Sequence, residues 1–213
     1  MDYTLQREKR KTLMMKILPD GTLLVKAPLR LPEQAVVQFV EQHKEWAQRQ
    51  LAQALERKKL REAFQYLDGQ AVPYLGRLLP LATGTAAVLP DRILLPAEGR
   101  PEALAALYKK EALRYLSART AFFAGRFGFS YASVSVGSAK TVWGTCDGKN
   151  RIRYSFRVMA LPEAAADYIV VHELCHTLHK NHGAAFWQAV DAILPEHRRL
   201  RAMCREWERK ILF

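Results

Sequence analysis

The chain has 213 residues, 49% of them hydrophobic, enough to bury a sizeable core as one domain or as two small lobes. Its formal net charge of +12 favours acidic partners: nucleic acid, anionic protein or an anionic membrane surface. No apolar run reaches the length of a membrane span, and no signal core follows the charged start MDYTLQREKRKTL. The three cysteines, Cys146, Cys175 and Cys204, are widely spaced and form no C-x-x-C pair, which argues against a disulfide framework and predicts a reduced, cytoplasmic protein.

In chain order, Thr12–Leu18 and Thr22–Lys26 flank Pro19-Asp20-Gly21 and read as a hairpin. Pro32-Glu33 opens a helix whose buried stripe is Val36, Phe39, Val40, His43, Ala47, Leu51 and Ala54; His43 there reads as a satisfied core histidine, not a ligand. Residues 62–96 are punctuated by Gly and Pro and predict short strands, with apolar runs at Leu78-Leu79 and Ile93-Leu94-Leu95. Pro101-Glu102 starts a second long helix, expected to stop at Gly125 and to pack against the helix that carries the motif described next. Strands are predicted at Val134–Val136 and Thr141–Thr145. After an Asp147-Gly148 turn, a return strand spans Arg151–Arg157, with Ile152, Tyr154 and Phe156 facing inward. The C-terminal part reads as two helices, Ala184–Leu194 ended by Pro195, and a last one carrying Leu200, Met203, Cys204, Trp207 and Ile211. The order predicts an α+β architecture, with an N-terminal β/α lobe over 1–96 and a second lobe over 97–213.

The most informative run is His172-Glu173-Leu174-Cys175-His176, an H-E-x-x-H motif. On a helix its two histidines stand one turn apart on one face and can share a metal ion, with the glutamate placed to take a proton from water there. Tyr168, Ile169, Val170, Val171, Leu174 and Leu178 make the segment apolar on nearly all sides, and Leu161-Pro162-Glu163 provides a helix start. A catalytic zinc takes a third protein ligand. His179 would lie further along the same helix, where each turn rises about 5.4 Å, so three collinear histidines cannot converge. His182 is preferred, because Asn181 and Gly183 can supply left-handed backbone that turns the chain back. The resulting H-E-x-x-H-x5-H spacing matches that of metzincins, although those have Gly where this chain has His179.

Residues 161–187, LPEAAADYIVVHELCHTLHKNHGAAFW, resemble the YgjP-like metallopeptidase family, relatives of SprT-like and WLM-type zinc proteases. The resemblance rests on Tyr168, Val170, Val171, His172 to His176, His182, Gly183, Phe186 and Trp187. It extends to Trp143-Gly144-Thr145-Cys146 with Ile152–Phe156, and to Tyr74-Leu75-Gly76-Arg77. It implies a zincin-like fold, one Zn²⁺ per chain on His172, His176 and His182, Glu173 as catalytic base, and a protein or peptide substrate. Val142 stands where the family usually has Arg, so no role of that Arg carries over.

The sequence thus points to a zinc metallopeptidase. Trp143, Gly144 and Tyr154 are candidates for contacting substrate, and the strand near Trp143 or Arg151–Phe156 for holding an extended peptide. The competing class is a basic nucleic-acid-associated binding protein with a structural zinc. Glu173 argues against it, since a closed structural site has no use for a base and usually takes a fourth ligand. A zinc hydrolase of a non-peptide amide is separated only by pocket shape. Arg198, Arg199 and Arg201 are the candidate nucleic-acid contacts, supported by charge and by analogy with SprT-like proteins that act on DNA-bound proteins.

Overall fold

The computed structural model describes residues 2–18 and 20–213, so Pro19 of the predicted turn lies outside the described residues. The chain clusters into two compact units, residues 1–65 with Leu212, and 66–211 with Phe213; residues 66–96, placed with the N-terminal lobe by the sequence reading, cluster with the second unit. No helix among the described residues is long and apolar enough to cross a membrane.

The first unit is a three-stranded sheet and two helices. Strands β1 (Thr4–Glu8), β2 (Met14–Ile17) and β3 (Leu23–Pro28) lie in the order β1-β3-β2, β1 parallel and β2 antiparallel to β3. Gly21, at φ 93°, donates its N–H to the Leu18 carbonyl in the β2–β3 turn. Leu23, Val25 and Ala27 alternate inward along β3 and meet Val36, Val40 and Ala47 in a small core. The single helix expected from Pro32 is two, α1 (Glu33–Gln42) and α2 (Lys44–Ala63), because His43 leaves helical geometry at φ −111°, ψ 14°. His43 is exposed, not in the core, and its Nδ1 is 2.8 Å from the Phe39 carbonyl oxygen.

The second unit begins with a four-stranded sheet in the order β4-β5-β7-β6, from β4 (Ala71–Tyr74), β5 (Arg77–Thr83), β6 (Ala87–Val88) and β7 (Ile93–Leu95). Helix α3 (Arg100–Phe127) follows; it runs through Gly125 and stops at Gly128, whose φ of 73° provides the left-handed C-cap. Strands β8 (Ser133–Gly137), β9 (Gly144–Cys146) and β10 (Arg151–Ser155) form a second sheet, with β10 parallel to β8 and antiparallel to β9. β10 is therefore central and β9 an edge. The return strand ends at Ser155 rather than Arg157, because Ser155 caps a 3₁₀ segment, Phe156–Ala160. Three helices complete the unit, α4 (Glu163–Leu178), α5 (Ala184–Ile193) and α6 (His197–Glu208).

α4 is the core helix its composition predicts, with Ala165, Ala166, Tyr168, Ile169, Val170, Val171, Leu174 and Cys175 all buried. α3 packs against it as expected, and Arg119 grips Asp167 with two 2.6 Å hydrogen bonds. The start of α4 is fixed by the β4–β5 turn. Leu75 and Gly76 both take positive φ, 42° and 79°, and the Leu75 N–H donates to the Met159 carbonyl at 2.7 Å. A Cβ on Gly76 would stand 3.0 Å from Pro162 Cα, backbone that cannot yield. Gly76→Ala therefore combines left-handed strain with a clash at the α4 N-cap. It is expected to lower unfolding free energy by about 1–3 kcal/mol, read as a reduced urea midpoint; an unchanged midpoint would show that this turn does not hold the helix start.

Candidate metal centre

One face of α4 presents His172 and His176, and the chain beyond it brings back His182. The Nε2 atoms of His172 and His182 are 3.0 Å apart, and those of His176 and His182 3.2 Å. Three nitrogens bound at about 2.0–2.1 Å to a tetrahedral zinc stand roughly 3.3 Å apart, so the cluster has the dimensions of such a site. His176 Nδ1 lies 2.9 Å from the His179 carbonyl oxygen. A carbonyl only accepts, so the His176 proton is on Nδ1 and the Nε2 lone pair faces the other two rings.

The return of the chain differs from expectation. α4 ends at Leu178, with His179 extended at φ −125°, ψ 99°. Gly183 is also extended, and Asn181 has no positive φ; its Oδ1 accepts from the Gly183 N–H at 3.2 Å instead, so a side-chain cap rather than left-handed backbone shapes the loop. His179 contributes its backbone, and its imidazole is not among the clustered ligand atoms.

Aromatic rings hold the cluster. Phe186, fully buried at the start of α5, has its centroid 4.9, 4.5 and 4.8 Å from those of His172, His176 and His182. Trp187 stacks on His182, at 5.8 Å between centroids, and on His197, at 5.4 Å. Burial and the neighbouring histidines lower the His172 pKa to about 3, and burial lowers that of His176. Both rings are therefore neutral at physiological pH, the state a metal requires.

Glu173 is 4% exposed, and its Oε2 is buried with no hydrogen-bond partner among the described residues. Gly144, the first residue of β9, makes room for it: a Cβ there would fall 2.8 Å from Glu173 Oε1. Burial alone pushes the carboxyl up to about 8.

These residues open into a cleft of about 790 Å³. Trp143, Gly144, Thr145 and Cys146 line one side, Tyr168, Ile169 and the histidines line the α4 side, and Trp187, Arg201 and Arg205 lie beyond. Of the predicted substrate contacts, Trp143 and Gly144 line this cleft. Tyr154 does not: it is 1% exposed and hydrogen-bonded to Thr120 at 2.9 Å, because inward alternation along the central strand β10 puts it in the core. Val142 also lines the cleft, and the Arg157 guanidinium lies 5.5 Å from the neighbouring Trp143 ring centroid. The basic trio of α6 is dispersed. Arg199 pairs with Glu196 at 2.8 Å, Arg201 faces the cleft, and Arg198 joins Arg201 in a smaller groove of about 430 Å³. Phe186, Trp187, Lys180 and Arg205 were not named as site residues from sequence; the aromatic pair following the third histidine was the available signal for the first two.

Three imidazoles gathered at one point beside a buried carboxyl group have the chemistry of a metal-dependent hydrolase. The family description "YgjP-like, metallopeptidase domain" matches residues 11–206, and the chain belongs to that family. The crystal structure of the metallopeptidase zymogen of Pyrococcus abyssi abylysin is similar over 42% of this chain and 93% of that one, with 22% identity and a TM-score of 0.39. No curated protein matches the chain significantly.

The geometry yields two tests. His172→Ala, His176→Ala and His182→Ala should each strongly lower metal content by elemental analysis, while His179→Ala, which keeps the backbone carbonyl, should retain it; the reverse pattern for His179 and His182 would exchange their roles. In the metal-free protein, Glu173 binds its proton more tightly when folded than when unfolded. Its penalty is thus absent below about 4.5 and grows as pH rises toward about 8. Metal-free Glu173→Gln should accordingly be more stable than metal-free wild type at pH 7.5 and little different at pH 4.5. Equal differences at both pH values would contradict the burial argument.

Proposed function

We propose that the protein is a zinc-dependent metallopeptidase of zincin-like architecture, with α4 as its active-site helix and one Zn²⁺ per chain held by His172, His176 and His182. The observation that carries the reading is the unpartnered, buried Glu173 oxygen next to three converging imidazoles. An ordinary core would not retain such a carboxyl, whereas a general base is of use there. Zinc, when bound, polarises a carbonyl and acidifies water. Glu173 takes the proton of the attacking water and delivers it to the departing amine. The donor set of three imidazoles suits zinc, and Phe186 beneath the rings keeps one side dry.

The cleft favours a peptide over a small amide. β9 is an edge strand whose first residue touches Glu173, so an extended chain added to that edge would pass its carbonyls across the histidine cluster. Trp143, immediately before β9 and lining the cleft, would contact the side chains of that strand. The three free cysteines agree with a reducing, cytoplasmic setting.

Glu173→Gln should keep zinc and fold while peptide hydrolysis falls at least ~100-fold, the lower range for loss of a general base. Gly144→Ala should produce a similar loss with zinc retained, because the added methyl displaces the Glu173 carboxyl and leaves the histidines untouched. Unchanged turnover in both variants would remove Glu173 from the mechanism, and loss of zinc in Glu173→Gln would make it a ligand or a support for one.

A further inference from the structure

The cleft beside the histidine cluster carries an imbalance of charge. Glu173 lies at its floor, and the other charged side chains lining it are Lys180, Arg201 and Arg205. Lys180 is engaged, donating to the Asp147 carbonyl at 3.0 Å and to Asn150 Oδ1. Arg201 and Arg205 are different. They lie four residues apart on α6, hence on one face, and among the described residues neither has a carboxylate within ion-pair distance. The neighbouring Arg199, which faces away from the cleft, does have one in Glu196. Arg201 is also positioned: its guanidinium lies 5.9 Å from the Trp187 ring centroid, and Trp187 in turn stacks on His182. The same Arg201 borders the smaller groove with Arg198; the acid lining that groove, Asp191, lies 3.3 Å from His197 Nδ1 rather than against either arginine.

Building on the peptidase reading of this site, we infer that the cleft selects peptides with acidic side chains near the scissile bond, and that Arg201 and Arg205 are the residues that recognise them. A guanidinium presents planar paired donors that match a carboxylate, and two of them one helical turn apart can hold one carboxylate between them or two in succession. Arg201, tied through Trp187 to His182, meets the acidic residue nearer the metal cluster; Arg205 meets the next. A glutamine in place of the acid leaves both cations without a counter-charge in a partly enclosed cleft, which is the source of the discrimination.

The test uses zinc-loaded protein and fluorogenic peptide pairs identical except for Glu or Gln at the positions flanking the cleaved bond. The wild type should favour the Glu member by about 10-fold or more in kcat/KM, with the preference shrinking as salt rises. Arg201→Gln/Arg205→Gln should bring the pair to within about 2-fold, with the larger loss of kcat/KM falling on the Glu peptide, and Arg201→Glu/Arg205→Glu should turn the preference toward Lys-containing peptides. Lys109→Gln/Lys110→Gln, an equal change of charge at exposed positions on α3, should leave the preference intact. Cleavage of both members at equal rates by wild type, or a preference that survives the double Gln variant, would overturn the inference. Binding of labelled Glu and Gln peptides to Glu173→Gln protein separates this from the activity itself. Arg-dependent binding of the acidic peptide without turnover in wild type would defeat the peptidase reading and uphold acidic recognition. A single-stranded oligonucleotide that displaces the acidic peptide, and binds more tightly through the same arginines, would overturn the assignment to peptide.

Discussion

A buried carboxyl group, set against a glycine and without a hydrogen-bond partner among the described residues, is the constraint around which this site is arranged. Glu173 sits in mid-helix, and α4 is buried around most of its circumference. Glu173 itself is 4% exposed, so its carboxyl must be accommodated by the element packed above it. β9 does this by beginning with Gly144, whose missing side chain is the space the carboxyl fills. The same contact brings a strand edge next to the histidines. The position of the acid, the identity of the glycine and the presence of an open strand edge at the cleft are therefore one feature rather than three.

The histidines are held by different means. His172 and His176 inherit their spacing from the helix, while His182 owes its position to the short segment between the end of α4 and the start of α5. That segment works because α4 stops at Leu178, which frees the His179 carbonyl to orient the His176 ring. Had the helix continued one more turn, that carbonyl would have been committed to the helical ladder and His182 carried away from the cluster. The resemblance to a family motif includes Phe186 and Trp187 for reasons now visible: one ring supports all three imidazoles, and the other stacks on the third.

Local patterns in the sequence were readable and long-range ones were not. The motif helix, the two C-terminal helices and the convergence of His182 with His172 and His176 follow from spacing within about one or two helical turns. The break between α1 and α2 was hidden because apolar positions keep helical phase through His43, which is nevertheless exposed. Gly125 looked like a stop, but α3 is packed along its length by α4 and β8 and tolerates a glycine, so it runs on to Gly128, where positive φ is required. β1 was missed because its TLQRE sequence is polar, and its parallel pairing with β3 depends on a partner some twenty positions away. The burial of Tyr154 depends on β10 being the middle strand of its sheet, an order that no local pattern reveals. Lys180 and Arg205 reach the cleft only through tertiary folding, and no spacing rule points to them.

Phe186 also has a kinetic consequence. A hydrocarbon ring packed under all three imidazoles closes that side of the cluster to water and to competing ligands. Exchange of a bound ion must then proceed through the cleft or await local opening of the segment that carries His182. Of the three histidines His182 is the exposed one, at the end of a loop rather than within a helix. Where the cleft is filled, release of an ion held there would depend on the breathing of a few residues ahead of α5, and its residence could be long without any strengthening of the individual metal–nitrogen bonds.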